Sequence, residues 1–166
     1  RLDLAGAHAS ALSSVSFLQA GAEAKVIRSL GSRVRVLARG SLARIFTDDV
    51  SALPPTHRFV TGGDQSVRGY AFESLGPVDG EGRIIGGDTL AWASLELELR
   101  VWSSLGLAAF TDAGNAWRDG PARLVAGPGA GLRWFSPIGI VRLDGAVGLG
   151  EDGNPLRIHL AIGPDL

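Results

Sequence analysis

The stretch ASLELELR, residues 93–100, alternates apolar and polar side chains at every position. Successive side chains of a β-strand point to opposite faces of the sheet, so this stretch predicts a strand with one apolar and one charged face. A helix would instead repeat its apolar residues three and four positions apart. Ala91 and Val101 extend the apolar face on either side. The stretch therefore predicts a β-strand with one face in an apolar environment and the other in a polar environment.

The same alternation recurs along the chain and predicts eight strands. Glycine, proline or short polar links separate several of them, as turns do. The predicted strands are Leu2–Ala9, Ser14–Arg28, Ser32–Phe46, Asp88–Trp102, Leu105–Trp117, Arg123–Phe135, Ile138–Leu149 and Pro155–Gly163. We therefore expect an all-β protein with antiparallel strands.

An apolar outer face and a charged inner face are typical of a transmembrane β-barrel. Apolar residues make up 45% of the 166 residues, yet no stretch approaches the roughly 18 uninterrupted apolar residues that a membrane helix needs. A soluble antiparallel sandwich is the alternative, with its polar faces in water. Several predicted strands are longer than the usual soluble strand of about 5–6 residues. The pattern therefore favours the membrane barrel.

Composition argues against several other function classes. The net charge of −1 gives no electrostatic basis for binding nucleic acid. The absence of cysteine excludes disulfides, and His8, His57 and His159 are scattered. No nucleophile elbow or histidine–glutamate metal motif is present. We therefore expect no enzyme activity, metal site or cofactor.

Since the chain begins at Arg1 without a signal peptide, we also expect a piece of a longer protein.

One long loop, roughly Thr47 to Gly86, interrupts the strands and carries the run GGDQSVRGY at residues 62–70. Loops of this length without structure of their own are uncommon and usually functional. If the loop folds back into a polar lumen, Arg68 needs a partner there. We expect Gly62, Gly63 and Gly69 to supply special backbone conformations or close approach to the wall. Tyr70, the only tyrosine, is expected to anchor the loop by packing and one hydrogen bond.

Five motifs in this order resemble the C-terminal barrel half of the BamA/TamA outer-membrane assembly superfamily. They are GGDQSVRGY at 62–70, ASLELELR at 93–100, FTDAGNAW at 110–117, GAGLRWFSPIGIVRLDGA at 129–146 and RIHLAIGPDL at 157–166. The form of the first motif and the GPDL ending look most similar to TamA, the translocation and assembly module subunit.

The resemblance implies a sixteen-stranded barrel preceded by POTRA domains. Five strands follow the Val-Arg-Gly-Tyr loop in that fold and five are predicted to follow it here, so residues 1–166 are expected to be the C-terminal eight strands. It also implies location in the bacterial outer membrane and a non-enzymatic role in assembling and inserting barrel proteins and autotransporters. The implied partners are the lipid bilayer, client outer-membrane proteins, the POTRA domains and a periplasmic partner of the full-length protein.

The resemblance further implies that the loop is locked to the barrel wall through Val67, Arg68, Gly69 and Tyr70. Its arginine would pair with Asp112, which the alternation places on the inner face. Glu96 and Glu98 also face inward on the preceding strand and would share the arginine. The final strand would form one side of a weakly closed seam that templates an incoming strand. Its outward residues are Leu156, Ile158, Leu160 and Ile162.

Three alternatives stay open at this point. One is a protein-secretion or transport pore of the same superfamily, with the loop as a plug. Another is an inactive eight-stranded barrel that closes on itself, because eight strands suffice for a barrel filled by side chains. A third is self-association of two such half-barrels through their edges, which restores sixteen strands.

Overall fold

The computed structural model describes residues 1–7, 16–118, 120, 123–137, 139–150 and 155–163. These residues form one eight-stranded antiparallel sheet in which strands are neighbours in chain order. The strands are β1 (Leu2–Ala7), β2 (Phe17–Leu30), β3 (Val34–Thr47), β4 (Thr89–Arg100), β5 (Leu105–Trp117), β6 (Val125–Ser136), β7 (Gly139–Val147) and β8 (Leu156–Gly163). The prediction of an all-β antiparallel fold is confirmed.

Strand boundaries differ from the predicted ones by a few residues. β7 ends at Val147, and Leu149 beyond it makes only an isolated bridge to Ala126. The predicted strand ends at Ala9, Ser14 and Ile138 lie outside the described residues, as do His8 and the last three residues of the GPDL ending.

The sheet reverses the usual distribution of apolar and charged side chains. On β4, Leu97 is 50% exposed, whereas its neighbour Glu98 is 2% exposed. We call the face carrying Glu98 the inner face and the face carrying Leu97 the outer face. In a soluble sandwich the leucine face would be covered by a second sheet. Among the described residues nothing covers it, so the sandwich does not describe this fold. The described part of the chain also contains no helix long and apolar enough to cross a membrane.

The sheet has two edges in the described structure. β1 pairs along its length with β2, and β8 pairs with β7 from Val147↔Leu156 to Ile140↔Gly163. Among the residues that the structure describes, β1 and β8 do not pair, so these edges are not joined into a closed barrel. One side of each edge strand is therefore without a neighbouring strand among the residues described.

Residues 48–88 connect β3 to β4 and lie against the inner face; we call this segment the inner loop. It has more internal structure than the sequence suggests, with two short 3-10 helices, Val50–Ala52 and Pro55–His57. Arg58 fastens its base, since the guanidinium donates to the carbonyl oxygens of Leu53 at 2.6 Å and of Ile85 at 3.1 Å. The inner loop thus presents its middle, residues 62–70, in a defined position.

Candidate functional site: a buried charge cluster under the inner loop

The tip of the inner loop is a compact turn centred on Arg68. The amide of Tyr70 donates to the Val67 carbonyl at 3.1 Å, and the amide of Gly63 donates to the Tyr70 carbonyl at 3.1 Å. Val67 and Tyr70 pack with Leu75 in a small apolar cluster. This turn directs Arg68 toward the sheet and leaves it only 3% exposed.

Arg68 is held most closely by Asp112 of β5. Its Nε donates to Asp112 Oδ2 at 2.8 Å and its Nη2 donates to Oδ1 at 2.9 Å, which makes a bidentate pair. The Arg68 backbone amide also donates to Oδ2 at 3.0 Å. Asp112 therefore recognises both the side chain and the main chain of the loop tip.

Two further acids and a hydroxyl complete the contacts of the Arg68 guanidinium. Nη1 donates to Glu96 Oε2 at 2.7 Å and to Asp144 Oδ2 at 3.1 Å. Nη2 donates to Ser94 Oγ at 3.2 Å. The guanidinium carbon also lies 3.3 Å from the centre of the Phe110 ring, in cation–π contact. One loop side chain thereby touches β4, β5 and β7.

A second arginine, Arg133 of β6, lies beneath the first and is fully buried. Its Nε donates to Glu98 Oε1 at 3.1 Å, and its two terminal nitrogens donate to Glu96 and Asp144. Glu96 and Asp144 each contact both arginines, so the two guanidinium groups share these acids. Glu98 pairs with Arg133, and Arg35 Nε lies 3.5 Å from its Oε2.

The cluster therefore brings four carboxylates together with two buried guanidinium groups, and Arg35 adds a third positive charge beside Glu98. Burial alone would lower the pKa of Arg68, but hydrogen bonds and charge from Asp112 and Glu96 hold it above its ordinary value. Removing one partner from such a cluster leaves the others buried and uncompensated, which is more costly than removing the whole set. The arrangement can hold the loop against the wall; it does not expose a free acid or base to a substrate.

The backbone of the loop tip is contacted as well. His159 Nε2 of β8 lies 2.7 Å from the Arg68 carbonyl oxygen, and Arg157 Nε donates to the Gly69 carbonyl at 3.2 Å. The Tyr70 hydroxyl donates to the Leu149 carbonyl at 2.5 Å. These contacts involve Leu149, just beyond β7, and the inner face of β8.

Three glycines of the run have distinct geometric requirements. Gly62 and Gly63 have φ of +107° and +101°, which side chains rarely adopt. Gly69 instead lies against the wall, where an added Cβ would come 2.6 Å from the Val147 carbonyl oxygen. The backbone of the loop tip can approach the wall this closely only without a side chain at position 69.

The residues singled out from the sequence fall in two places. Arg68, Asp112 and Glu96 meet in the cluster, and Glu98 joins through Arg133. The outward residues of β8 lie on the opposite face, each about two-thirds exposed: Leu156, Ile158, Leu160 and Ile162.

Arg133 and Asp144 were not predicted to contact the loop or its arginine from the sequence. Sequence reasoning also missed the contacts of Ser94, Phe110 and His159. The alternation places all five on the inner face, but only the strand register brings them under one loop residue. Among the described residues, no group of three or more histidines, cysteines or acids is arranged to hold a metal ion.

Comparison with known proteins places this fold in a family. The model of the Omp85 superfamily domain matches residues 1–165. The structure of BamA from Haemophilus ducreyi lacking POTRA domains 1–3 is similar with a TM-score of 0.68 at 22% identity, over 87% of this chain and 35% of that one. CdiB from Acinetobacter baumannii is similar with a TM-score of 0.60 at 19% identity, over 88% of this chain and 26% of that one.

This chain thus spans about a third of the length of that BamA chain and about a quarter of that CdiB chain. At these identities the two structures establish the shared fold, and the match over residues 1–165 establishes the family. The chain belongs to the Omp85 superfamily of the bacterial outer membrane, and its eight-stranded antiparallel sheet resembles the BamA barrel.

Proposed function

We propose that this chain is the C-terminal barrel part of a TamA-like factor that inserts barrel proteins and autotransporters into the outer membrane without enzymatic chemistry. The observation that carries the proposal is the edge of β8. This strand pairs with β7 on one side and has no neighbouring strand on the other in the described structure. Its outer side chains, such as Leu160 at 67% exposure, suit contact with lipid.

An unpaired strand edge in a membrane is a template for another strand. Its free N–H and C=O groups find no water in the hydrocarbon region, where each unsatisfied group costs several kcal/mol. An incoming client strand would satisfy these groups by adding to the sheet. This mechanism involves strand pairing and no chemical step. It requires the rest of the sheet to stay in place while the β8 edge binds and releases client strands.

The buried cluster would supply that stable wall. Arg68 and Arg133 join acids of β4, β5 and β7 across the inner face, next to the proposed template strand. In this proposal Val67, Arg68, Gly69 and Tyr70 lock the inner loop to the wall. The POTRA domains and a periplasmic partner of the full-length protein would deliver clients to β8.

The test is cross-linking in the full-length protein in outer membranes, which the absence of native cysteine in this chain simplifies. Leu160→Cys on β8 is paired with cysteines scanned along the terminal strand of a client barrel. Leu42→Cys on β3 is the matched control. Leu42 is 65% exposed on the outer face, but its strand is paired with β2 on one side and β4 on the other. We expect disulfides to the client from position 160 and not from position 42. If position 160 forms no disulfide with any scanned position of the client strand, the template role is wrong.

A secretion pore is the second candidate, and the position of the inner loop favours it as an alternative. The loop tip occupies the inner face, where a plug would lie. In planar bilayers, a pore requires a large rise in conductance of the full-length protein when the loop is released by Arg68→Ala. An insertion factor requires disulfides between position 160 of β8 and the client strand, whether or not the conductance rises.

A further inference from the structure

Two inner side chains of β8 contact the main chain of the loop tip. His159 Nε2 lies 2.7 Å from the Arg68 carbonyl oxygen, and Arg157 Nε lies 3.2 Å from the Gly69 carbonyl oxygen. A carbonyl oxygen can only accept, so Nε2 of His159 is the protonated ring nitrogen in this contact. Both contacts are independent of the Arg68 guanidinium, which binds β4, β5 and β7 instead.

The loop tip also rests on the end of β7 and on the residues that follow it. An added Cβ on Gly69 would lie 2.6 Å from the Val147 carbonyl oxygen and 2.8 Å from Gly148 Cα. Tyr70 donates its hydroxyl to the Leu149 carbonyl at 2.5 Å. The loop tip therefore bridges the end of β7 and the inner side chains of β8.

This bridge matters because β8 is otherwise held from one side only. Its register places Arg157 opposite Ala146 and His159 opposite Asp144, and the other edge has no strand neighbour among the described residues. Asp144 itself contacts both buried arginines. The docked loop is thus in contact with β8 and also with the acid directly opposite His159.

We infer that Arg157 and His159 are positioning residues that hold β8 against the docked loop, so that loop docking sets the position of the strand edge. The inference rests on the proposed function, in which that edge is the template for clients. Loop docking and strand position are then two coupled equilibria. Such coupling is reciprocal, since each state stabilises the other by the same amount.

The test is hydrogen exchange of backbone amides in the full-length protein in lipid nanodiscs. The variants are Arg157→Ala, His159→Ala, the two combined, and Arg68→Ala. His159→Gln is the conservative variant, because its side-chain amide can still donate to the Arg68 carbonyl. Ile158→Ala is the matched control, since it lies between the two positions but points to the outer face.

We expect the combined variant to speed exchange in β8 and at residues 67–70 together, on the order of tenfold. His159→Gln should stay near the native rates, and Ile158→Ala should leave the loop tip unchanged. Arg68→Ala should speed exchange in β8, although His159 and Arg157 contact main-chain oxygens that this variant keeps. Native exchange rates in the combined variant would overturn the inference. So would an Arg68→Ala protein whose loop is released while β8 keeps its protection.

Client disulfides formed from Leu160→Cys separate this inference from the proposed function. If clients never bond to β8 in the otherwise native protein, the template role fails, and the exchange rates still decide whether the loop positions the strand. If clients bond normally but the combined variant exchanges like the native protein, the positioning role fails while the template role stands.

Discussion

Arg68 uses the geometry of a guanidinium in full. Its planar donors reach Asp112 by two parallel hydrogen bonds, while Nη1 reaches Glu96 on β4 and Asp144 on β7. The ring of Phe110 covers one face of the group. Lysine carries the same charge but offers a single ammonium point and no planar fork. The site therefore specifies arginine and not merely a positive charge.

Replacing Arg68 should release the loop tip. Arg68→Ala leaves Asp112, Glu96 and Asp144 short of a buried partner, and breaking a buried pair typically costs about 3–5 kcal/mol. We expect protease cleavage within residues 62–70 and an intermediate effect for Arg68→Lys. Limited proteolysis in detergent micelles measures both.

The control is Arg83→Ala in the same inner loop. Arg83 pairs with Asp79 and Glu81, but its side chain is largely exposed. Exposed pairs contribute about 0–1 kcal/mol, so this variant should resist protease at residues 62–70 like the native protein. Equal cleavage of the Arg68→Ala and Arg83→Ala proteins would contradict the locking role.

Gly69→Ala tests the close contact between loop and wall without changing any charge. The new methyl group would meet the Val147 carbonyl oxygen at 2.6 Å, so the loop tip must move away from β7. Gly80→Ala is the matched control, because no atom lies within 4 Å of its added Cβ. We expect faster amide exchange at residues 67–70 in the first variant only. Native exchange in Gly69→Ala would mean that the wall adjusts to the methyl group.

At the scale of elements, each strand presents apolar side chains to the outer face and polar side chains to the inner face, because successive residues point to opposite faces. β3 gives a direct test, since Leu42 faces outward and its neighbour Ser41 faces inward opposite Glu23. Leu42→Lys places a charge on the lipid face, which costs about 2–4 kcal/mol at the bilayer midplane and less near its surfaces. Ser41→Lys places the same charge beside a carboxylate.

We expect Leu42→Lys to lower the folded fraction in lipid vesicles and Ser41→Lys to leave it near the native level. The shift of folded barrel on unheated electrophoresis gels measures that fraction. If both variants fold equally well, the outer face of β3 does not meet lipid.

Alternation also explains how much could be predicted from the sequence. All eight strands and the inward orientation of Asp112 follow from a period of two, because that period is set by backbone geometry. The shared positions of Arg133, Asp144 and His159 do not follow from it. They depend on strand register and on a loop that crosses the sheet. Arg68 thereby contacts Asp144, which lies 76 positions later in the chain, and His159, which lies 91 positions later. The internal structure of the inner loop likewise depends on contacts that no local pattern encodes.

At the scale of the whole molecule, the inner loop bears on how this sheet can close. The interior of an eight-stranded barrel is just wide enough for its own side chains. Here the inner face also holds a loop tip in which Val67 and Arg68 are almost completely buried. Closing β1 onto β8 within one chain would require that space. The docked loop thus favours a wider barrel that includes further strands.

A cysteine pair measures closure directly. In the 166-residue chain in detergent micelles, Leu4→Cys on β1 and Leu160→Cys on β8 should form no disulfide within one chain while the loop is docked. Bonds between two chains would indicate paired half-barrels. An intrachain bond in protein whose residues 62–70 still resist protease would contradict the argument from space. Cysteines should also be placed at neighbouring positions of β1 and β8, so that a missing disulfide is not caused by an unsuitable distance between one pair of cysteines.

The contacts of the loop tip also have a consequence in time. Arg68 belongs to a segment that precedes β4, yet its partners lie on β4, β5, β7 and β8. Contacts so distant along the chain form slowly, because the intervening chain must be ordered first. The loop tip can therefore reach its final place only after β8 has been laid down. Its docking would mark the point at which β4 to β8 are in place, so that the proposed template edge becomes organised only once this part of the wall has folded.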